Sequence, residues 1–184
     1  VFFSLFDEAD CYKELVKIIS QSKDGILRNK LEKKNKLTGK GGYLTKRLND
    51  LEAAGFITSY VPFGHKRRGI YYRISDEYCY FYLKWIEPIK TQLKQEVNTH
   101  YWLSMVNTPA YYTWSGYAFE NICYKHIAHI REALNIPSSA LGSPWRYSPT
   151  NGSKDAGTQI DLLFDRIDHA ITLCEIKHTQ KQFI

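Results

Sequence analysis

Asp161, Glu175 and Lys177 are the residues whose types and spacing most directly suggest chemistry. They lie in two apolar segments with strand character, T-Q-I-D-L-L-F-D at 158–165 and A-I-T-L-C-E-I-K at 170–177. The R-I-D-H between these segments is short enough for a hairpin, and a hairpin centred on Asp168 pairs residues whose numbers sum to 336. This register places Asp161 directly opposite Glu175, about 5 Å away, with Lys177 on the same face as Glu175.

Two carboxylates at that distance repel each other and destabilise a sheet unless a cation lies between them. Their oxygen atoms suit Mg²⁺ or Mn²⁺ better than zinc. An ion held by Asp161 and Glu175 would polarise a phosphate oxygen and acidify a bound water, while Lys177 would orient that water or stabilise charge on phosphorus. Glu120, from a helix earlier in the chain, would complete the coordination. The cluster therefore predicts a metal-dependent site that acts on phosphate esters.

Other interpretations of these residues stay open. If the numbers of paired residues sum to 338, Asp161 faces Lys177 and the two form an ordinary cross-strand ion pair. Cys123, His126 and His129 recur at i, i+3 and i+6, a spacing that favours an ordinary half-buried helix face over a metal site. The four cysteines form no C-x-x-C pair, so reduced thiols are expected rather than a zinc ribbon or a disulfide framework.

A helix and a small sheet must hold the candidate residues together. An apolar stripe that includes Phe119 and Leu134 predicts a long helix over 114–134, and this helix carries Glu120. A short strand is expected around 145–147, before the two strands already described. The expected C-terminal fold is a partial α-β-β-β core, which makes the chain an α/β (α+β) protein.

The N-terminal part predicts a helical domain that ends in a hairpin. Helical spacing indicates three helices, over 7–20, over 28–34, and through Leu44, Leu48 and Leu51 to Gly55. Two strand-like segments follow, at 56–60 and 70–74, on either side of a Pro-Phe-Gly turn and a basic run. Three helices and a hairpin with a basic tip are the order of a winged helix-turn-helix.

The excess positive charge lies in this N-terminal part. Residues 1–76 hold 15 Lys and Arg against 9 Asp and Glu, whereas residues 77–184 hold 10 of each. A basic half suggests binding to double-stranded DNA, although a solvated lysine-rich face has the same balance and winged helices also bind proteins. The predicted DNA contacts are Lys40, Tyr43, Lys46 and Arg47 around the third helix, and Lys66, Arg67 and Arg68 at the hairpin tip.

An aromatic helix is predicted between the two parts. Its stripe consists of Tyr78, Phe81, Tyr82 and Trp85 at i, i+3, i+4 and i+7. Packing of this stripe against a neighbouring domain is favoured over stacking on unpaired bases. The expected organisation is a winged helix over 1–76, a linking helix over 77–97 and a C-terminal domain over 98–184.

Composition excludes several classes of protein. Charged and hydrophobic fractions of 24% and 43% are ordinary for a folded chain. No window approaches the roughly 18 consecutive apolar residues of a membrane span. The opening V-F-F-S-L-F is too short and lacks the basic flank of a signal peptide, so a cytoplasmic protein without a membrane partner is expected.

The C-terminal motifs carry a resemblance to a known superfamily. G-T-Q-I-D-L-L-F and E-I-K, with W-S-G-Y-A-F-E upstream, resemble PD-(D/E)XK nucleases, in which a helix Glu, a strand Asp and an E-x-K strand form the metal site. The resemblance implies a restriction-endonuclease-like core with Glu120, Asp161, Glu175 and Lys177 as its site. The first Pro-Asp of that motif occurs here only as G-T-Q-I-D, and inactive members exist. A non-catalytic DNA-binding module whose second domain binds a protein partner is therefore the alternative.

The whole chain is similar to the C-terminal part of archaeal-type P-loop ATPases. The stretch S-K-D-G-I-L-R-N-K-L through L-T-K-R-L-N-D-L-E-A-A-G-F-I is the more specific part of this likeness. In that family an ATPase module precedes these domains. The chain starts with Val and has no G-x-x-x-x-G-K-[ST] phosphate loop, so an ATP site is expected only in a preceding ATPase module. The nuclease-like domain is expected to be truncated soon after Lys177.

Overall fold

A computed structural model describes residues 5–34, 41–65, 69–95, 100–147, 149 and 156–179 of the chain. These residues form helices and two three-stranded antiparallel sheets, so the expected mixed α+β class is confirmed. The chain divides into two units. The first unit consists of Val1–Tyr60 and Ile70–Thr108, and the second consists of Val61–Gly69 and Pro109–Ile184. The segment 77–97, expected as a separate linking helix, falls within the first unit.

Three helices of the first unit pack through apolar residues at helical spacing. They are α1 (Ala9–Ser20), α2 (Arg28–Lys34) and α3 (Gly42–Ala53). Leu44, Leu48 and Leu51 of α3 are fully buried, as their spacing predicts. The helix ends before Gly55, whose φ of +78° is a left-handed conformation that residues with a Cβ atom avoid.

A small antiparallel sheet closes the core of the first unit. Its strands are β1 (Ile26–Leu27), β2 (Ile57–Tyr60) and β3 (Tyr71–Ile74), in the order β1-β3-β2. The β2–β3 hairpin follows the predicted segments closely, with Ile57 paired to Ile74. The two-residue β1 was not predicted, because it is too short for an alternating pattern to show.

The predicted aromatic helix is a series of short helical turns. They are α4 (Glu77–Phe81), a π-helical turn (Tyr82–Ile86), a 3-10 turn (Glu87–Ile89), α5 (Lys90–Gln95) and α6 (Tyr101–Val106). Pro88 interrupts the regular helix because it lacks an N–H donor. Trp85 is buried and its ring lies 6.0 Å from that of Trp102, whereas Tyr78 is 66% exposed. The aromatic stripe is therefore packed at Trp85, against a residue of the same unit, and exposed at Tyr78.

The second unit combines two helices with a three-stranded sheet. Its elements are α7 (Pro109–Lys125), α8 (Ile127–Ala133), β4 (Leu141–Tyr147), β5 (Thr158–Asp165) and β6 (Ile171–Cys174), and the strand order is β4-β5-β6. The long helix expected over 114–134 is two helices, because the backbone leaves helical angles at His126. The strand β4 is longer than the predicted 145–147.

The core of the second unit lies between the sheet and α8. Among the described residues its fully enclosed part consists of Ile136, Ala140, Leu162 and Phe164. Gly142 allows this contact, because a Cβ atom there would lie 2.8 Å from Ile127 Cγ2 and 2.9 Å from Phe164 Cε1. The predicted apolar stripe of α7 is only partly buried, since Phe119 and Ile122 are 36% and 41% exposed. No helix in the described part of the chain has the length and apolar character needed to cross a membrane.

Candidate functional site

The β5–β6 hairpin decides between the two registers that the sequence allows. Its pairs run from Asp165 with Ile171 to Leu162 with Cys174, so the numbers of paired residues sum to 336. The expected register is confirmed, and the alternative in which Asp161 faces Lys177 is wrong. Regular pairing ends with Leu162 and Cys174, and Asp161 and Glu175 are the next residues on each side.

Asp161 is a buried carboxylate at the end of that ladder. Its residue is 8% exposed, and its Oδ2 atom accepts a hydrogen bond of 2.8 Å from the Ile176 amide. Burial raises the pKa of Asp161, because removal from water disfavours the charged form. The Ile176 amide and Lys177 oppose this rise in pKa, while the charge of Glu175 adds to it. Asp161 therefore lies within electrostatic reach of both members of the E-x-K motif.

Glu175 and Lys177 form an exposed ion pair beside Asp161. Lys177 Nζ lies 2.5 Å from Glu175 Oε1, and the two side chains are 58% and 61% exposed. The hydrogen bond to Glu175 is the main cause of a raised pKa at Lys177. Asp161 and Glu120 contribute smaller increases to the pKa of Lys177, so each of the other three predicted site residues acts electrostatically on Lys177.

Helix α7 places Glu120 near the strand residues. The Tyr124 hydroxyl donates a hydrogen bond of 2.8 Å to the backbone carbonyl of Asp161. Glu120 precedes Tyr124 by four residues, so the two side chains share one face of α7. The contact between Tyr124 and Asp161 therefore directs the helix carboxylate toward the β5–β6 end.

The donor chemistry of this cluster fits a hard divalent cation, because the available ligand atoms are carboxylate oxygens and Asp161 is held out of water. Within the residues that the structure describes, however, no group of three or more His, Cys, Asp or Glu side chains is arranged to hold a metal ion. This statement includes Cys123, His126 and His129, of which the two histidines are exposed with ring centroids 5.4 Å apart. Magnesium or manganese at Asp161 and Glu175 stays a prediction.

The four cysteines are free thiols. Cys79 is buried, and burial raises the pKa of its thiol to about 12. Burial also raises the pKa of Cys123 and of Cys174. A raised pKa keeps a thiol protonated and unreactive, so these three cysteines are poor nucleophiles and poor metal ligands.

The exposed face of α3 carries two of the predicted DNA contacts. Tyr43 is 71% exposed, and the Lys46 side chain is 73% exposed with its ammonium 3.0 Å from Asp50 Oδ2. The expectation that Arg47 also lies free on this face is wrong. Arg47 is 7% exposed and its guanidinium is bonded to Glu8, because its position three residues after Leu44 places it on the buried side of α3.

The remaining predicted contacts, Lys40, Lys66, Arg67 and Arg68, lie outside the described residues. Sequence reasoning passed over other polar groups around α3. Arg28 Nη2 donates a 2.7 Å hydrogen bond to Thr45 Oγ1, which places a guanidinium beside the exposed side of α3. The other exposed polar side chains on α2 and α3 are Asn29, Lys30, Lys33, Lys34 and Asn49. The run N-K-L-E-K-K contains one apolar residue, the buried Leu31, and this pattern could have predicted that the lysines are exposed.

Comparison of the chain with protein-family models, with curated proteins and with solved structures gave no match. Membership of the PD-(D/E)XK superfamily and likeness to the P-loop ATPases therefore stay predictions from the motifs. The functional candidates are the cluster around Asp161 in the second unit and the exposed polar side chains of α2 and α3 in the first.

Proposed function

We propose that the chain binds duplex DNA through its first unit and hydrolyses phosphodiester bonds at the cluster around Asp161 in its second unit. The observation that carries the proposal is the hairpin register, which makes the buried Asp161 a direct neighbour of Glu175. The two exposed members of an E-x-K motif beside a buried carboxylate are the groups that such a reaction requires.

Each residue of the cluster has a distinct role in this proposal. Asp161 and Glu175 supply carboxylate oxygens for Mg²⁺ or Mn²⁺, and Glu120 supplies a third carboxylate from α7. When bound there, the ion supplies positive charge that stabilises the transition state of phosphodiester hydrolysis. Lys177 places its ammonium beside the same group of carboxylates, where it would stabilise negative charge on the phosphate oxygens.

The arrangement of elements supports this pair of functions. In the first unit, three helices precede the β2–β3 hairpin, the order of a winged helix-turn-helix. In the second unit, helices precede three antiparallel strands, as expected for part of a restriction-endonuclease-like core. The site residues lie on three of these elements or directly after them, so their mutual placement depends on the fold of the whole second unit.

Cleavage of supercoiled plasmid by the purified chain tests the hydrolytic part. We expect nicking in the presence of Mg²⁺ or Mn²⁺ that chelator abolishes, and a loss of at least about 100-fold in rate for Asp161→Asn and Lys177→Ala. Asp165→Asn is the matched control, because Asp165 is an exposed aspartate at the last position of the same strand.

Nicking that persists unchanged in Asp161→Asn would show that the activity comes from another site or from a contaminant. Nicking that is lost equally in Asp165→Asn would show a general effect of charge or folding on the second unit. Either result refutes the assignment of catalysis to Asp161.

The DNA-binding part is supported by the charge of the α2–α3 surface, meaning the exposed side chains of these two helices. Lys30, Lys33 and Lys46 are exposed on them, and Arg28 is held beside Thr45. Exposed lysines neutralise phosphates and release counterions, which supplies affinity that falls steeply with salt. Tyr43 and Asn49, exposed on the same helix, offer contacts to base edges.

The salt dependence of duplex affinity tests this surface. Replacing Lys30, Lys33 and Lys46 together by Ala should lower the slope of log Kobs against log salt by about 0.9 for each lost phosphate contact. Replacing Lys90 and Lys94, exposed lysines of α5, is the control and should leave the slope unchanged. A slope identical to that of the wild type in the triple variant would refute the α2–α3 surface.

The predicted hairpin-tip residues Lys66, Arg67 and Arg68 are tested by the same measurement. Their joint replacement by Ala should also lower the slope of log Kobs against log salt.

A non-catalytic DNA-binding module is the second candidate function. It is favoured by the close ion pair of Lys177 with Glu175, and by the lack of a three-ligand metal group among the described side chains. In that case the second unit binds a protein partner, and the wild-type chain binds duplex DNA without nicking it at any Mg²⁺ or Mn²⁺ concentration.

A further inference from the structure

His178 lies directly after the E-x-K motif and contacts the helix that carries Glu120. Its Nδ1 atom is 3.4 Å from the hydroxyl oxygen of Ser115, and its ring centroid is 5.7 Å from that of Phe119. Ser115 is the most enclosed residue of α7, at 7% exposed. Ser115 and Phe119 are four residues apart, so both contacts of His178 fall on one face of α7.

The hydrogen bonds of Ser115 favour one position for the proton of His178. The Ser115 hydroxyl oxygen lies 3.0 Å from the Tyr112 carbonyl, to which it can donate its single proton. With that proton used, the oxygen accepts from His178, and in this arrangement Nδ1 is the donor. A neutral His178 with its proton on Nδ1 keeps its lone pair on Nε2.

Two contacts therefore hold α7 against the strand ends, one on each side of Glu120. His178 contacts the helix at Ser115 and Phe119, and Tyr124 bonds to the Asp161 carbonyl at 2.8 Å. Glu120 lies between these contacts along the helix. The two contacts therefore restrain the helix on both sides of this carboxylate.

We propose that His178 is a positioning residue, which sets the place of Glu120 relative to Asp161 and Glu175 by donating from Nδ1 to Ser115. This inference deepens the proposed function and rests on it for its effect on metal binding. The contact between His178 and Ser115 belongs to the folded second unit, so it can be tested whether or not the protein cleaves DNA. His178 is not assigned contact with substrate.

The tautomer of His178 is the first test. In ¹⁵N-labelled protein, the ring shifts of His178, assigned by their loss in His178→Asn, should show the Nδ1–H form in the neutral state. Ser115→Ala removes the acceptor and should shift the tautomer balance toward the Nε2–H form that free imidazole side chains favour. An Nε2–H tautomer in the wild-type chain would overturn the inference, whatever the outcome of the cleavage experiments.

Mn²⁺ binding followed by electron paramagnetic resonance is the second test. His178→Ala should weaken Mn²⁺ binding about tenfold, the lower end of the range for residues that orient metal ligands. His178→Asn should retain most of the affinity, because the Asn amide nitrogen occupies nearly the place of Nδ1 and can donate to Ser115. Duplex affinity of the first unit should stay unchanged in both variants, and His129→Ala, an exposed histidine of α8, is the matched control.

The outcomes separate this inference from the proposed function. Wild-type Mn²⁺ affinity in His178→Ala, with binding lost in Asp161→Asn, would refute the role of His178 and leave the metal site standing. Equal loss in His178→Ala and His178→Asn would show that the ring acts by packing alone, which also refutes the hydrogen-bond role. If the wild-type chain binds no Mn²⁺, the metal site itself is wrong and the proposed effect of His178 on it falls too.

Discussion

Each unit contains an aspartate that is at least partly buried, and the pKa values of the two carboxyl groups are shifted in opposite directions. In the first unit, Asp50 accepts a hydrogen bond of 2.6 Å from the Tyr12 hydroxyl and another of 3.0 Å from Lys46, and these donors lower its pKa. In the second unit, burial and the neighbouring Glu175 raise the pKa of Asp161. The fold stabilises the charged form of Asp50, whereas it disfavours the charged form of Asp161.

This contrast separates a structural carboxylate from a functional candidate. Charged groups whose surroundings satisfy them stabilise the native state, whereas groups left in an unfavourable setting are enriched at binding and catalytic sites. Asp50 belongs to the first kind, because it joins α1 to α3 through Tyr12. Asp161 belongs to the second kind, since only one backbone amide and a nearby lysine oppose its desolvation.

The two units also differ in the size of their hydrophobic cores. Among the described residues, the core of the first unit includes fifteen buried side chains, whereas the corresponding cluster of the second includes four. Large apolar residues of the second unit such as Leu141, Ile171 and Leu173 are 50% to 75% exposed. We therefore expect the first unit to be the more stable and the second to depend on a few residues.

The largest expected effect is on that small core. Phe164→Ala removes the largest fully buried side chain of the second unit and should destabilise it by about 3–5 kcal/mol. Leu48→Ala in the first unit should cost about 2–5 kcal/mol. Amide hydrogen exchange in each unit measures both changes. Equal loss of protection in the two units for Phe164→Ala would contradict the difference in their cores.

Gly142→Ala tests the close approach of α8 to the sheet. An added Cβ atom would lie 2.8 Å from Ile127 and 2.9 Å from Phe164, so overpacking should cost about 1–3 kcal/mol in the second unit. Gly116→Ala is the control, because a Cβ atom there meets nothing within 4 Å. Chemical denaturation followed by far-UV circular dichroism measures both. A neutral effect at Gly142 would show that Ile127 moves aside freely.

Tyr12→Phe tests the stabilised carboxylate of the first unit. Loss of the bond to Asp50 should cost about 1–2 kcal/mol at neutral pH. Because the folded pKa of Asp50 is lowered, its stabilisation is present above the unfolded pKa and is lost as pH falls through the folded value. The difference between Tyr12→Phe and wild type should therefore shrink on acidification. A difference that is constant with pH would mean that Tyr12 acts by packing alone.

Asp161→Asn should have the smallest effect on stability of these substitutions, and it should stabilise the protein where the others destabilise it. Its folded pKa is raised, so its contribution is most favourable below the unfolded pKa and is lost as pH rises through the folded pKa. At neutral pH the substitution should stabilise the second unit by up to about 1 kcal/mol, because it removes a repulsion between opposed carboxylates. Thermal unfolding between pH 4 and pH 8, at intervals of about one unit, should show this gain growing with pH. Destabilisation at neutral pH would place Asp161 among the structural carboxylates.

Much of the fold was predictable because its elements carry local patterns. The leucines of α3 follow the periodicity of a helix, and β5 is a short apolar run next to a turn; both appear where the sequence places them. The hairpin itself was predictable from the short turn, but the sequence left two registers open and the folded strands have the one whose pair numbers sum to 336. The break at His126 and the two-residue β1 carry no such pattern and were missed.

The sequence by itself determined most of the elements and the charge of the N-terminal part, and it limited the β5–β6 pairing to two registers. The folded hairpin has the register that brings Asp161 to Glu175. Only the tertiary structure decided which charged groups are satisfied. Arg47 is bonded to a residue 39 positions away, and His178 contacts a serine 63 positions away. Helical periodicity places Arg47 on the buried side of α3, three residues after Leu44, but it does not identify the partner. The partners depend on how helices and strands pack, so the ion pair with Glu8 and the contact of His178 with Ser115 became visible only in the folded chain.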